Sequence, residues 1–339
     1  MWLLNPPFIY IFFVLLGILF KYFISLIAYF YLLLTFYSKK IKKFNNKHVF
    51  IFGASQGLGK AVALLLSEQG IKLSIGARNT ELLSKVKNLC LKKNSKTLVE
   101  FYQVDITKKE EIIKALENSI EKYGFPSLII NCAGISHPGF FLDLNLDIYY
   151  KDMELNYFGN LKVLKTAFKF YKKLGNNCDL DIVCVGSVLG LIGSIGYSSY
   201  VPTKYALKGL LDVLRYETLT SKIKLHYYAP SNIDTPGFLI ENKTKPKLVK
   251  EMEDNAQTIS AEKAAEILLK NMDDYIITSE PNLEMLKTCS FFMSKFKVLD
   301  YLLMPIANLG VIFSGKNIDE NIIRRKFDCF EERKTEESE

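Results

Sequence analysis

Short apolar runs alternate with longer helical patterns between residues 48 and 229, and this alternation constrains the fold more than any other feature. The runs are apolar along most of their length, as expected for parallel strands buried on both faces. Strands that alternate with helices indicate a parallel sheet covered on both sides, which is a doubly wound α/β fold. The runs are HVFIFG, IKLSIGA, TLVEFYQVD, SLIINCAG, DLDIVCVGS and KIKLHYYAP, and YIIT is a candidate seventh strand.

A glycine-rich loop follows the first predicted strand and precedes the first helical pattern. Glycine permits a tight turn and lets backbone N–H groups approach a pyrophosphate at the N-terminus of a helix. In the first βαβ unit such a loop predicts dinucleotide binding and a Rossmann-type fold, although a purely structural turn is the alternative. The candidate cofactor-binding residues in this loop are Gly53, Ser55, Gln56, Gly57, Leu58 and Gly59.

The end of the second predicted strand indicates which dinucleotide is bound. An acidic residue at this position would bind the adenosine ribose 2′-OH and select NAD. This chain has Ala77 and Arg78 instead. The small alanine leaves space, and arginine can form charge-assisted hydrogen bonds with a 2′-phosphate. We therefore predict NADPH as the cofactor; the alternative is that Arg78 is only a solvated charge at a strand end.

Tyr200 and Lys204 form a candidate catalytic pair, because residues four apart share one face of a helix. An adjacent ammonium lowers the pKa of a phenol, which suits general acid catalysis. Ser187, thirteen residues before Tyr200, ends the fifth predicted strand and could donate a hydrogen bond to the substrate oxygen. Asn156, in a predicted helix over 146–174, could hold a water that relays protons to Lys204. The Tyr–Lys spacing alone is common by chance, so the prediction rests on the four residues together.

Pro202 lies between the two members of this pair. Proline deep inside a helix costs about 3 kcal/mol. In a first turn, however, its missing N–H group is harmless. We therefore expect the helix to begin at about Ser199, with Tyr200 in its first turn.

The glycine-rich loop, the NCAG segment and these four residues together resemble the short-chain dehydrogenase/reductase family, from about Lys47 to about Ser279. The resemblance implies that Tyr200 is the acid–base residue. Phe52 departs from the pattern, because the family usually has threonine before the loop. The resemblance also implies that Asp105 contacts the adenine of the cofactor. It implies further cofactor contacts for Asn131, Ala133, Gly134, Tyr200, Lys204, Ile233 and Thr235.

Residues 1–38 carry Lys21 as their only charge and are predicted to form a membrane anchor, because about 20 apolar residues span a bilayer as a helix. Lys21 would cost roughly 2.5–3.5 kcal/mol at the helix centre. Alternatively it snorkels, and the run is a shorter span with an interfacial segment. Neither a basic region nor a small-residue cleavage site marks a secretory signal peptide. The basic linker at 39–46 predicts that the following chain is cytosolic.

The rest of the chain divides by composition. Residues 47–280 are predicted to be the NADPH-binding reductase domain. Residues 281–315 are rich in Leu, Met and Phe but interrupted by charges, which is typical of an amphipathic, membrane-associated segment. This segment could shelter an alkyl chain, or form a helix pair or dimer contact, so homo-oligomerisation stays open. Residues 316–339 form a charge-dense tail that is predicted to be disordered.

Composition excludes several classes of function. The net charge is +8, but the lysines form no basic stripe with interleaved aromatic residues, so we expect no nucleic-acid partner. The six cysteines show no CxxC pair, which indicates a reducing compartment without disulfides or a zinc site. The three histidines are far apart in the sequence, and no metal site is predicted.

The segment Ala229–Phe238 contains IDTPGF where the substrate lid of this family begins. With the N-terminal apolar segment, it resembles 3-ketodihydrosphingosine reductases. This implies NADPH-dependent reduction of 3-ketosphinganine to sphinganine at the cytosolic face of the endoplasmic reticulum membrane, with a long-chain sphingoid ketone and the lipid bilayer as partners. The alternatives are a membrane-bound hydroxysteroid or retinoid dehydrogenase and a non-catalytic NADP(H)-binding sensor or scaffold. Carboxylates that could pair with the substrate ammonium are Glu241, Glu251, Glu253 and Asp254.

Overall fold

The computed structural model describes residues 39–44, 46–175, 178–253 and 258–279, together with helical residues at 13, 15–17, 19–20, 22–27, 30–31 and 34. The predicted amphipathic segment 281–315 and the charged tail 316–339 lie outside the described residues. The chain divides into two compact units, one formed by residues 40–280 and the other by residues 1–39 with 281–339.

Strands alternate with helices through the larger unit, as predicted from the apolar runs. The strands are β1 (His48–Phe52), β2 (Lys72–Ala77), β3 (Leu98–Gln103), β4 (Leu128–Asn131), β5 (Leu180–Val185), β6 (Ile223–Ala229), β7 (Ile233–Asp234), β8 (Ile259–Ser260) and β9 (Ile276–Thr278). The helices are α1 (Gly57–Ser67), α2 (Thr80–Lys93), α3 (Lys109–Tyr123), α4 (Leu146–Met153), α5 (Asn160–Lys173), α6 (Val201–Glu217), α7 (Pro236–Thr244), α8 (Lys247–Glu253) and α9 (Ala261–Lys270).

Seven parallel strands form the central sheet in the order β3-β2-β1-β4-β5-β6-β9. This order confirms the Rossmann-type doubly wound sheet, and the candidate strand YIIT is β9. The strand order reverses between β1 and β4, and ligands bind in the crevice at the carboxyl ends of the strands at such a point. The glycine-rich loop leaves β1 at this crevice.

Phe52 shows how the sheet core tolerates the departure from threonine. Its side chain is fully buried and stacks on Phe50, with the ring centroids 4.3 Å apart. The end of β1 is therefore held by apolar burial, where a threonine would have added a hydroxyl hydrogen bond.

The predicted helix over 146–174 is helical throughout but not uniform. A π-helical segment, Glu154–Gly159, separates α4 from α5. Single π turns inside α-helices often mark functional positions. Asn156 lies within this π turn, so the local backbone geometry sets the direction of its side chain.

The segment predicted as a basic linker belongs to the larger unit from residue 40 onward. Lys42 pairs with the Asp181 carboxylate at 2.9 Å, and its backbone N–H donates to Leu269 O at 3.1 Å. The Phe44 side chain is 1% exposed, and its backbone N–H donates to the Gln69 amide oxygen at 2.7 Å. These contacts fix the chain before it enters β1.

The described helical residues between 13 and 34 expose large apolar side chains. No helix among the described residues is both long and apolar enough to count as a membrane span. The exposed apolar residues are Phe13, Leu15, Leu16, Leu19, Phe20, Tyr22, Phe23, Leu26, Ile27, Phe30, Tyr31 and Leu34.

Candidate active site

The glycine-rich loop between β1 and α1 forms a tight cradle for a phosphate group. Gly53 has a φ of +75°, and a β-carbon there would lie 2.6 Å from the Ala133 backbone nitrogen. A β-carbon at Gly59 would lie 2.3 Å from Gly53 O. Gln56 caps α1 without a side-chain hydrogen bond to the helix end. The first N–H groups of α1 therefore face the crevice beside glycines that carry no side chain, which suits a dinucleotide pyrophosphate.

Ala77 and Arg78 lie at the carboxyl end of β2, near Asp105, which follows β3. Ala77 is buried and Arg78 is exposed. Burial opposes ionisation of Asp105, but hydrogen bonds from the Thr107 backbone and hydroxyl, with the charge of Arg78, hold its pKa below the ordinary value. A cation and a fixed carboxylate thus lie together where the adenosine end of a dinucleotide is expected.

Three asparagines connect the end of β4 to the helix that carries the π turn. Asn131 is fully buried, donates to Asn160 Oδ1 at 2.8 Å, and accepts from the Ala133 backbone at 3.1 Å. Asn160 Nδ2 in turn donates to Asn156 O at 2.7 Å. The NCAG segment is therefore held at the crevice by buried amide groups.

Asn156 holds the loop after β4 against α6. Its amide donates to Ile135 O and accepts from Ile135 N, both at 2.9 Å, and donates to Thr203 Oγ1 at 3.1 Å. A β-carbon at Gly134 would lie 3.2 Å from Asn156 Oδ1 and 3.5 Å from Lys204 Nζ. Asn156 and Lys204 therefore border the same space above Gly134, and the water relay between them stays a prediction.

Tyr200 caps α6, which begins at Val201, two residues later than predicted. Pro202 lies in the first turn as expected, where it removes no helical hydrogen bond. Lys204 is 3% exposed; its Nζ lies 5.3 Å from the Tyr200 ring centroid and donates to Val185 O at 3.1 Å. The two side chains therefore share one end of α6, beside the end of β5.

The pKa of Tyr200 is raised, whereas the sequence predicted that the Lys204 ammonium would lower it. Burial raises the pKa of Tyr200 above its ordinary value; the charge of Glu241 adds to the rise, and a hydrogen bond from Ser187 opposes it. Burial lowers the pKa of Lys204 to about 8. In the described site, burial outweighs the effect of the nearby ammonium, and Tyr200 holds its proton at neutral pH.

Ser187 lies just after β5, with 9% of its surface exposed. Its hydroxyl accepts a hydrogen bond from the Leu189 backbone at 3.1 Å, which leaves the hydroxyl proton available to a second group. The Ser187 hydroxyl lowers the pKa of Tyr200, which places it beside the phenol. The structure therefore brings together the four candidate catalytic residues, Ser187, Tyr200, Lys204 and Asn156.

A buried carboxylate in α4 that the sequence did not indicate contacts the residue before Tyr200. Asp152 is 0% exposed; one oxygen lies 2.6 Å from His137 Nδ1, and the other accepts from Ser199 Oγ at 2.8 Å. Ser199 directly precedes Tyr200. Asp152 thus ties the loop after β4 to the start of α6, a tertiary contact without any local sequence signal.

The predicted lid segment after β6 approaches the glycine-rich loop. Ile233 pairs with Ile259 in the small sheet of β7 and β8. Thr235 caps α7, and its methyl carbon would lie 3.1 Å from a β-carbon at Gly57. Thr235 is therefore close to the candidate cofactor cradle, whereas the Ile233 backbone is held in the small sheet.

A cluster of charged groups joins α7 and α8 to the loop before Tyr200. The Tyr197 hydroxyl lies 2.7 Å from Glu241 Oε1 and 3.1 Å from Glu253 Oε1. Lys245, with its side chain 1% exposed, lies 2.6 Å from Glu253 and 3.4 Å from Glu241. The Tyr197 and Tyr200 ring centroids are 6.2 Å apart. Among the predicted carboxylates that the structure describes, Glu241 is the one whose charge raises the pKa of Tyr200. Asp254 lies outside the described residues.

Comparison with known proteins agrees with this geometry. A profile of the short chain dehydrogenase family matches residues 47–245. A Dictyostelium discoideum 3-ketodihydrosphingosine reductase is 32% identical, over 81% of this chain and 88% of its own length. A "PIGF/3-ketodihydrosphingosine reductase fusion protein" of Schizosaccharomyces pombe is 33% identical over 84% of this chain, which spans 58% of that relative.

A solved structure supports the fold alone. Levodione reductase superposes with a TM-score of 0.63 at 21% identity, covering 71% of this chain and 98% of its own. From the profile match and the similarity over most of the Dictyostelium relative, the chain belongs to the short-chain dehydrogenase family.

Proposed function

We propose that this protein reduces 3-ketosphinganine to sphinganine with NADPH, a step of sphingolipid synthesis. The observation that carries the proposal is the convergence of Tyr200, Lys204 and Ser187 at the crevice beside the glycine-rich loop. The similarity to relatives named 3-ketodihydrosphingosine reductase supports the choice of ketone. The intact catalytic set argues against a sensor or scaffold without activity.

The chain's own residues supply proton transfer and orientation. Because burial raises the pKa of Tyr200, its phenol keeps a proton that it can donate to the ketone oxygen. Ser187 donates a hydrogen bond to the same oxygen and thereby fixes the carbonyl. The Lys204 ammonium stabilises the phenolate that remains after proton transfer. A resting tyrosine that holds its proton suits reduction in particular.

NADPH, when bound, supplies the hydride that reduces the carbonyl carbon. The side-chain-free cradle at Gly53 and Gly59 and the free end of α1 fit its pyrophosphate. Exposed Arg78 beside the small Ala77 fits a 2′-phosphate, which favours NADPH over NADH. Asp105, Asn131 and Thr235 border the same crevice and are assigned to cofactor binding.

The charge of the lid favours an amino ketone over a neutral steroid or retinoid. Two carboxylates, Glu241 and Glu253, face one ammonium, Lys245, so the cluster carries one excess negative charge. Lys245 lies closer to Glu253, which leaves Glu241 the less neutralised of the two. A half-buried carboxylate beside Tyr200 is stabilised by a cation. The amino group of 3-ketosphinganine lies on the carbon next to the ketone and can supply it.

We further assign the protein to the endoplasmic reticulum membrane, with residues 47–280 in the cytosol. Exposed apolar side chains between residues 13 and 34 support a lipid partner for that segment. The lysines at 39–46 support retention of the following domain on the cytosolic side. A long-chain sphingoid ketone partitions into the bilayer, so an enzyme held at that surface meets a concentrated substrate.

The full-length protein in lipid or detergent is expected to oxidise NADPH when 3-ketosphinganine is added, and to use NADH at least about tenfold less efficiently. Product formation is followed by mass spectrometry with each cofactor. A hydroxysteroid ketone and retinal serve as competing substrates. Turnover of a steroid or retinal without turnover of 3-ketosphinganine would overturn the proposed substrate.

Glu241→Gln is expected to lower kcat/KM for 3-ketosphinganine at least about tenfold, because a hydrogen-bonded ion pair to the substrate amine is lost. The glutamine oxygen still accepts from Tyr197, so the lid contact is kept. For an analogue with hydrogen in place of the amino group, kcat/KM should not fall. Exposed Glu251→Gln, in the same lid, removes an equal charge as the control. An equal loss with both ketones would show that Glu241 has only a structural role.

A further inference from the structure

A buried tyrosine from β6 contacts the backbone of two catalytic residues. The Tyr227 hydroxyl accepts a hydrogen bond from Ser187 N at 3.2 Å and donates to Ser187 O at 3.1 Å. It also lies 3.5 Å from Lys204 O. One hydroxyl therefore satisfies both backbone groups of Ser187 and reaches the backbone of α6.

The loop around Ser187 is shaped to receive this ring. A β-carbon at Gly186 would lie 2.0 Å from the Tyr227 ring carbon that bears the hydroxyl, and one at Gly190 would lie 1.9 Å from the hydroxyl oxygen. Side chains at these two positions would displace the ring. The glycines on both sides of Ser187 thus leave the space that the tyrosine fills.

The neighbouring residue in β6 is equally buried but faces elsewhere. Tyr227 and Tyr228 are both 0% exposed, and successive side chains of a strand point to opposite faces. The Tyr228 hydroxyl donates to Ala264 O in α9 at 2.9 Å. Each tyrosine therefore makes buried hydrogen bonds to backbone groups, but only Tyr227 makes them to catalytic residues.

We propose that Tyr227 is a positioning residue, which fixes the Ser187 hydroxyl toward the substrate oxygen by holding the Ser187 backbone against the start of α6. Ser187 leaves β5 in a short 3-10 turn, Val188–Gly190, and its hydroxyl accepts a hydrogen bond from Leu189 N, the second N–H of that turn. A turn of three residues restrains its first side chain weakly. Hydrogen bonds from Gly186 N to Tyr228 O and from Val188 N to Pro230 O tie the residues on either side of Ser187 to the adjacent chain. The two bonds to Tyr227 add a restraint on Ser187 itself.

Tyr227→Phe keeps the ring and removes only the hydroxyl. We expect kcat for the ketone to fall about tenfold, as for loss of a buried hydrogen-bonding partner, with the Kd for NADPH unchanged. The control is Tyr228→Phe, which removes an equally buried hydroxyl and should leave kcat within about twofold of wild type. Thermal unfolding is recorded for both variants. A Tyr227→Phe protein that fails to fold or to bind NADPH would overturn the proposal, because the hydroxyl would then hold the fold.

A double-mutant cycle separates positioning from general stability. If Tyr227 acts through Ser187, Tyr227→Phe should change kcat less than about twofold in a Ser187→Ala background. The proposal would be contradicted if Tyr227→Phe lowered kcat equally in the wild-type and the Ser187→Ala backgrounds. It would also be contradicted if Tyr227→Phe alone were as active as the wild type. The cycle rests on the proposed reaction, so wild-type turnover is measured first. Inactivity of the wild type with 3-ketosphinganine counts against the proposed function, and the cycle is then run with the ketone that the wild type reduces.

Discussion

Replacing Tyr200 by phenylalanine is expected to lower kcat for ketone reduction about a thousandfold, the typical contribution of a positioned general acid. The phenyl ring can still pack over Lys204 Nζ, which lies 5.3 Å from the present ring centroid, and beside Tyr197. Only the proton donor is removed. NADPH affinity, measured by fluorescence titration, should therefore stay close to that of the wild type.

Tyr205→Phe provides the matched control for this experiment. Tyr205 directly follows Lys204 in α6, and 44% of its surface is exposed. Loss of its hydroxyl should leave kcat within about twofold of wild type, because this exposed side chain is not one of the groups that shift the pKa of Tyr200. If Tyr200→Phe kept more than about a tenth of the wild-type kcat, Tyr200 could not be the general acid.

The strands and the order of the site residues could be predicted because both follow from local patterns. β1 and β4 are buried at every position, and their sequences are apolar apart from His48 at the start of β1 and Asn131 at the end of β4. The glycine-rich loop and the Tyr–Lys spacing are likewise properties of short segments. The apolar strand pattern predicts the sheet because burial on both faces of a parallel sheet requires apolar side chains along each strand.

The sequence does not show which of two local hydrogen bonds the Thr107 hydroxyl makes. Thr107 and Glu110 have the spacing of a capping box, which predicts a helix from Thr107. In the structure, Thr107 instead donates to Asp105 Oδ1 at 2.8 Å, and α3 begins at Lys109. The two bonding patterns compete for the same hydroxyl. The nearby Asp105, fixed at the crevice, decides the outcome.

The supporting residues of the site depend on tertiary contacts. Asp152 is four residues before Asn156 on a helix, yet only folding brings it to His137 and Ser199. Tyr227 lies in the buried strand β6, where the sequence pattern predicts a large buried side chain but no role for its hydroxyl. Their polar atoms have partners more than ten positions away in the sequence, so no short pattern indicates them. The raised pKa of Tyr200 has the same origin, since burial is a property of the fold.

At Gly59 the start of α1 passes very close to the backbone at the end of β1. A substitution at this position is expected to have a large effect on the Kd for NADPH. A β-carbon at Gly59 would lie 2.3 Å from Gly53 O and 2.9 Å from the carbonyl carbon of the same residue. Because both atoms belong to the backbone, no side-chain rotation can relieve the clash. The start of α1 must therefore move away from the end of β1, which widens the loop that is proposed to receive the pyrophosphate.

Gly59→Ala is accordingly expected to raise the Kd for NADPH about a hundredfold, equivalent to about 2.7 kcal/mol of binding free energy. Gly209→Ala in α6 is the matched control, since nothing lies within 4 Å of a β-carbon there. Alanine favours a helix over glycine by roughly 0.5–1 kcal/mol, so this variant should bind NADPH normally and unfold at a higher temperature. Circular dichroism establishes that both proteins are folded. Wild-type affinity in a folded Gly59→Ala protein would mean that the pyrophosphate does not bind at this loop, because the backbone shift would then lie outside the binding site.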